Sequence, residues 1–179
     1  RRLMLDRLQQ ALSSHKLKSQ YGAILLIDLN NFKTLNDTKG HLIGDQLLIA
    51  VSRHLQTVVN EDDTICRTGG DEFVVLLNAL DSDTERAATQ AESVAQKILA
   101  SISQPFNLQG YEYRCSASIG ITLFHSHTTP VDEVLKQADI AIRQAKQFGS
   151  NSIQFFDPDI QIKLEFRVQL ESWMHKALR

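Results

Sequence analysis

Asp28 ends an otherwise apolar segment, Ala23-Ile24-Leu25-Leu26-Ile27, and few strands tolerate a carboxylate there. Burying it alone is costly, so it needs a cation, a hydrogen-bond network or the exposed tip of the strand. Further along, Asp71 and Glu72 directly follow Gly69-Gly70. Carboxylates meeting at adjacent strand tips, beside a turn whose glycines let backbone approach closely, would suit Mg²⁺. That ion takes one or two carboxylates and completes its shell with water and phosphate oxygens. An acidic hairpin turn that merely solubilises its strands carries the same letters, so spacing alone leaves both readings open.

The segment Asn30-Asn31-Phe32-Lys33-Thr34-Leu35-Asn36-Asp37 runs from that strand into a helix start, where backbone N–H groups and Lys33 could hold phosphate. A side-chain-capped helix with a solvated lysine is the alternative. Asn36 and Asp45 offer an amide and a carboxylate, a pair able to match guanine's donor and acceptor edge. Taken singly, each also reads as a cap or surface residue. His41, between Gly40 and the long helix, reads as structural, and Lys146 suits the negative end of a helix.

These groups need a frame. Leu5, Leu8 and Leu12 predict a short helix over 3–12, and residues 23–29 a buried central strand. Leu48, Val51, Leu55 and Val58 predict a helix over 41–59. Residues 64–68 and 71–77, joined through Gly69-Gly70, predict a hairpin with positive φ at both glycines. Ala87, Ala91, Val94, Ile98 and Ile102 predict a helix over 84–102. The alternation from Cys115 to Leu123 predicts a half-buried strand.

A helix capped by Thr129, with Pro130 as its first residue, is expected next. Its stripe is Val131, Val134, Leu135, Ala138, Ala141 and Ala145, and Gly149 stops it. A strand at 152–155 follows. A last helix opens at Asp157-Pro158, with Ile162, Phe166, Leu170, Trp173 and Ala177 as its apolar face. It carries that stripe to the chain end and so reads as a connector, 157–179, beyond a domain of 1–156. The order implies an α/β (α+β) sandwich with a mostly antiparallel sheet covered by helices. No Rossmann G-x-G-x-x-G follows the first strand and no P-loop occurs.

Composition agrees with one globular domain. The 179 residues are 42% hydrophobic and 22% charged, and 19 basic against 21 acidic residues leave a net charge of −2. That balance argues against a broad nucleic-acid or membrane footprint for this stretch. Apolar runs such as Ala23–Ile27 fall far short of the ~18 residues of a membrane span. Cys66 and Cys115 form no metal spacing and no disulfide framework, and the expected compartment is a reducing cytoplasm. A chain beginning Arg1-Arg2 reads as part of a longer protein, with room for a membrane anchor upstream.

Read as words, the motifs say more. Gly69-Gly70-Asp71-Glu72-Phe73 is letter for letter the motif that names the GGDEF family of diguanylate cyclases. Ile27 to Asp37, then Gly40-His41 and Gly44-Asp45, resemble that family's first-strand block. Ala138-Asp139-Ile140-Ala141, Ala145-Lys146, Gly149 and Asn151 resemble its late helix block, and the likeness covers residues 1–156. It implies a nucleotide-cyclase, polymerase-palm-like fold in which two GTP-loaded domains face each other and condense two GTP into cyclic di-GMP, a bacterial second messenger. It further implies Mg²⁺, or Mn²⁺ in its place, on Asp28, Asp71 and the Leu29 carbonyl. Glu72 would assist the metal or the attacking 3′-hydroxyl, Asn36 and Asp45 would read guanine, and Asn31, Phe32, Lys33 and Lys146 would hold phosphates.

The chain departs from the family at four places. Asn30 stands where a second Asp is usual, Ser150 where an Arg is, Arg143 where a Tyr is, and Asn60 where the Arg of an inhibitory Arg-x-x-Asp product site is. The last departure implies no product inhibition through Asn60–Asp63. The tail from Phe155 resembles the linker of tandem proteins in which an EAL phosphodiesterase domain follows. An inert GTP-binding module regulating such a neighbour is therefore the alternative function. The isolated chain is expected to be a monomer that needs flanking segments to dimerise.

Overall fold

The computed structural model describes residues 2–14, 20–125 and 129–177. Helix α1 (Arg2–Ser14) precedes the central strand β1 (Tyr21–Leu29), then α2 (Phe32–Lys39) and α3 (His41–Val58). A hairpin of β2 (Thr64–Gly69) and β3 (Glu72–Leu77) leads to α4 (Thr84–Ile102). A small hairpin, β4 (Phe106–Leu108) and β5 (Tyr111–Tyr113), leads to β6 (Ala117–His125). Helix α5 (Val131–Phe148), strand β7 (Ser152–Phe155) and helix α6 (Pro158–Ala177) complete the order. The main sheet runs β2-β3-β1-β6-β7, antiparallel except for the parallel pair β6–β7. This is the mostly antiparallel, helix-covered sheet that the element order predicts.

Alternation along β1 divides the interior in two. Leu25, Ile27 and Leu29 point into a core shared with α2, α3 and α4. Ile24 and Leu26 point the other way, into a core with Leu8 and Leu12 of α1 and Val134, Ala138 and Ala145 of α5. Asp28 follows the second set. The strand β6 is predicted half-buried, yet Ser118 and Thr122 are as buried as Ile119 and Ile121. The cause is α5, which lies so close that a Cβ on Gly120 would come within 2.3 Å of the Ile142 nitrogen. Cys115 falls just before the strand, and its burial pushes the thiol up to about 11.

Other departures are local. The helix expected to open with Pro130 as its first residue starts at Val131, with Pro130 at the cap position and its carbonyl accepting from Glu133 and Val134 N–H. Both hairpin glycines have positive φ, 154° at Gly69 and 51° at Gly70. Gly69 itself pairs with Glu72 after a bulge, however, so the tip is Gly70-Asp71. Arg67 holds that tip, donating twice to the Gly70 carbonyl at 3.0 and 2.8 Å. The β4–β5 hairpin is absent from the sequence expectations because its strands are only three residues each.

The last helix forms, with Asp157 capping it through the Asp159 N–H at 2.9 Å. Its inward residues are not the expected ones. Leu164 is buried, and Ile160 is packed partly against the core. Ile162, Phe166, Leu170 and Trp173 face solvent. Side chains beyond Met174, Ala177 included, lie outside the described residues, as does the expected run of the helix to Leu178 and Arg179.

Candidate functional site

Sheet topology decides where the candidate groups meet. β6 runs antiparallel to β1, so its first residue, Ala117, lies beside Leu29, the last of β1. β7 is parallel to β6, so Ser152 lies beside Ser118 at the same end. The residues just before β7, the C-terminus of α5, must therefore arrive there too. β3 begins there as well, with Glu72 directly opposite Asp28. One end of the sheet thus gathers the β1–α2 loop, the β2–β3 turn and the α5–β7 loop.

A cavity of about 450 Å³ opens at this end. It is lined by residues 28–34 of the β1–α2 junction, by Asp71 of the hairpin tip, and by Lys146, Gly149 and Ser150 at the end of α5. The Asp71 carbonyl accepts from the Leu29 N–H at 3.2 Å, tying the hairpin tip to the end of β1. Leu29's side chain is buried, so it offers the cavity only backbone. Asn31 has φ 60° and no side-chain cap on α2, which leaves that helix's first amides uncapped beside Lys33. The capped-helix alternative is thereby set aside, and a left-handed residue before a helical one forms a concavity suited to an anion.

Asp28 is 7% exposed, and its Oδ2 lies 2.6 Å from the Lys146 Nζ. Burial raises its pKa above the ordinary value. The Lys146 hydrogen bond and charge pull the other way, while Asp71 and Glu72 add to the rise. Lys146 is held by a closed helix end. The Ser152 hydroxyl donates to the Ala145 and Gly149 carbonyls, and Gly149 takes φ 105°.

Not every expected residue lines this cavity. Glu72 faces a neighbouring one, beneath α5 with Thr68 and Asp139. Asn36 and Asp45 stand on α2 and α3, outside the lining. Asn36 nonetheless carries a buried Oδ1 with no hydrogen-bond partner. It sits over Gly44, where a Cβ would meet that oxygen at 1.9 Å. Few buried polar atoms in native folds lack a partner, which sets the Asn36 amide apart from the rest of α2.

Sequence reasoning missed Ser116 and Ser118. Asn30 Nδ2 donates to Ser116 Oγ at 3.1 Å, and Ser118 Oγ donates to Asn30 Oδ1 at 3.2 Å. Both ends of the Asn30 amide are thus used within the fold. The available signal was a serine, Ser118, in an apolar alternation. Asp63 is likewise occupied, accepting from the Asn60 and Asn78 N–H groups at 3.1 and 3.0 Å.

The donor set can be tested against a metal. Among the described residues no three His, Cys, Asp or Glu side chains converge. The site has two carboxylates and a backbone segment, beside uncapped amides and a lysine. That set fits a hard cation that keeps waters and takes phosphate oxygens, and it does not fit a protein-only cage. The two carboxylates and their surroundings therefore suit a hard divalent cation.

The profile of "Diguanylate cyclase, GGDEF domain" matches residues 1–152. The chain belongs to the GGDEF family. It is 38% identical over 178 residues, 99% of its length, to the bifunctional diguanylate cyclase/cyclic di-GMP phosphodiesterase MucR of Pseudomonas aeruginosa. It is 34% identical over 178 residues to the cyclic di-GMP phosphodiesterase PdeR of Escherichia coli. These matches span 25% and 26% of the two relatives. The crystal structure of the GGDEF domain of TpbB from Pseudomonas aeruginosa superposes with a TM-score of 0.79 at 33% identity, covering 87% of this chain and 94% of that one. The fold is thus that of a GGDEF domain. No helix among the described residues is long and apolar enough to cross a membrane.

Proposed function

We propose that this GGDEF domain is a diguanylate cyclase: with a second copy of itself it condenses two GTP into cyclic di-GMP. The observation that carries this reading is the single cavity in which buried Asp28 and Asp71 meet the uncapped amides of α2 and the Lys146 ammonium. Asp28, Asp71 and the Leu29 carbonyl would hold Mg²⁺ or Mn²⁺. When bound, the cation supplies positive charge to the phosphoryl oxygens.

The remaining work falls to the chain's own residues. Backbone N–H groups of Asn31, Phe32 and Lys33, with the Lys33 and Lys146 side chains, bind and orient the triphosphate. The orphan Asn36 Oδ1 and the Asp45 carboxylate accept from guanine's N1–H and 2-amino group. Glu72, on the same face of the sheet as Asp28, would assist the metal or take the proton of the attacking 3′-hydroxyl. That oxygen bonds to the α-phosphorus of the other nucleotide as the bond to pyrophosphate breaks. A second such step closes the ring. Because one cavity holds one nucleotide, turnover requires two domains face to face.

The chemistry is read directly as cyclic di-GMP formed from GTP and Mg²⁺ at high protein concentration. Asp71→Ala is expected to lower the rate by at least ~10²-fold. A second reading has its own support. Ser150 in the cavity lining brings no charge to the phosphates, and PdeR is named a phosphodiesterase. On that reading the domain binds GTP and regulates an EAL domain beyond the 157–179 connector. GTP binding without product, even after forced dimerisation, would decide for it.

A further inference from the structure

The Lys146–Asp28 pair has a geometry that the nucleotide reading does not by itself require. Lys146 Nζ lies 2.6 Å from Asp28 Oδ2. The Asp28 side chain is 10% exposed and the Lys146 side chain 45% exposed. The ammonium therefore already occupies one oxygen of the carboxylate that a cation entering the cavity would need. Both residues line that cavity together with Asp71.

Resting on the nucleotide reading above, we propose that Lys146 is a binding switch: it occupies Asp28 until nucleotide arrives, then exchanges the carboxylate for phosphate and thereby admits the divalent cation. An ammonium in contact with a carboxylate repels a second cation at the same group, so bare metal binds poorly while the pair is made. Phosphate oxygens offer the ammonium a new partner of like charge to the one it leaves. The exchange needs no movement of the main chain. Ser152 closes the last turn of α5 on the Ala145 and Gly149 carbonyls, and the four-carbon lysine stem rotates about that fixed point. Linkage makes the effect reciprocal: whatever nucleotide does for the metal, the metal does for nucleotide.

Two measurements on the 179-residue chain test this. The first is the dissociation constant of Mn²⁺ alone, by electron paramagnetic resonance, without nucleotide. Lys146→Met is expected to tighten it about tenfold. Lys33→Met removes the same charge from the same cavity without touching Asp28, and is expected to change it less than threefold. Equal tightening in both variants would reduce the effect to bulk charge and overturn the proposal. So would no tightening in Lys146→Met.

The second measurement is binding of a non-hydrolysable GTP analogue with Mg²⁺. The wild-type chain is expected to bind it, and Lys146→Met at least tenfold more weakly. In the wild-type chain the Lys146 ammonium ¹⁵N resonance should shift when the analogue is added and stay in place when inorganic sulfate is. If the wild-type chain binds no analogue, the nucleotide reading fails and takes this inference with it. If it binds analogue while Lys146→Met leaves Mn²⁺ affinity unchanged, only the switch fails.

Discussion

Helices α5 and α6 are of similar length and similarly rich in apolar residues, yet α5 is built deep into the domain and α6 only along one side. Val134, Ala138, Ala141 and Ala145 of α5 are buried against β1 and β6. They recur at intervals of three to four residues, so they lie on one side of the helix. Between Ile160 and Leu170 the apolar residues of α6 fall at every second position, Ile160, Ile162, Leu164, Phe166, Val168 and Leu170. On a helix that spacing distributes them around the whole circumference. One side, Ile160 and Leu164, meets the domain, while Ile162, Phe166, Trp173 and Met174 stay in water. Period, rather than apolar content, decides how much of a helix the sheet can hold.

The sharpest way to break the contrast is at Gly120, where α5 rests on β6. A Cβ there would meet the Ile142 nitrogen at 2.3 Å and the Ala141 carbonyl carbon at 2.7 Å, both main-chain atoms that no rotamer can move aside. Gly120→Ala is therefore expected to cost about 3 kcal/mol in urea unfolding. In whatever folds, the end of α5 should be displaced and the Lys146–Asp28 pair with it. A cost under ~1 kcal/mol would show that α5 is held less firmly than its burial implies.

The same contrast explains what could be read in advance. The frame was legible because α3, α4 and α5 each keep one helical period and β1 is an unbroken apolar run of strand length. Asp28 stood out as a carboxylate ending an apolar run and Asp71 as one beside Gly69-Gly70, whereas Lys146 read from spacing only as a cation suited to a helix end. Three things were not. The apolar residues of α6 alternate, so selecting every fourth one yields a stripe that the fold does not use. The three-residue strands of the second hairpin are too short to show a period. The Asn30–Ser116–Ser118 network depends on β6 lying beside β1, a contact between residues 86 and 88 positions apart that no local pattern encodes.

On the α6 side, Leu164→Ala should be the costly change, about 2 kcal/mol, because among the described residues it removes the side chain that α6 buries most deeply. Loss of α6 helicity at a lower urea concentration than the rest of the chain would accompany it. An effect near zero would mean that α6 is held by its polar ties alone, Lys163 to Glu85 at 2.7 Å and Arg167 to Thr89 at 2.6 Å.

Asp28 tests the other helix from its polar end. Its folded pKa is raised, so its contribution to stability is fully present below the unfolded value of 3.8 and is lost as pH rises through the folded value. Asp28→Asn removes that loss, and its amide oxygen can still accept from Lys146. In metal-free buffer the variant should exceed wild type by on the order of 1 kcal/mol at neutral pH. The gain should shrink toward zero as pH falls below the folded value. A gain of the same size at all pH values would separate it from ionisation. Metal and nucleotide binding should be lost in the same protein.

The smallest effect is expected on the outer side of α6, and there a null result is informative. Phe166 is 59% exposed and Trp173 63% exposed, so Phe166→Ser and Trp173→Ser give up little burial in this chain. Each should alter unfolding by no more than ~0.5 kcal/mol, against the larger loss at Leu164 two positions away from Phe166. The comparison is internal, since all three variants share helix, solvent and denaturant. A loss above ~1 kcal/mol at Phe166 would mean that the outer face is covered in solution. A midpoint that rises with protein concentration would then identify the cover as a second copy of the chain. A concentration-independent midpoint beside a small loss would leave α6 a helix with one side against the domain and the other in solvent.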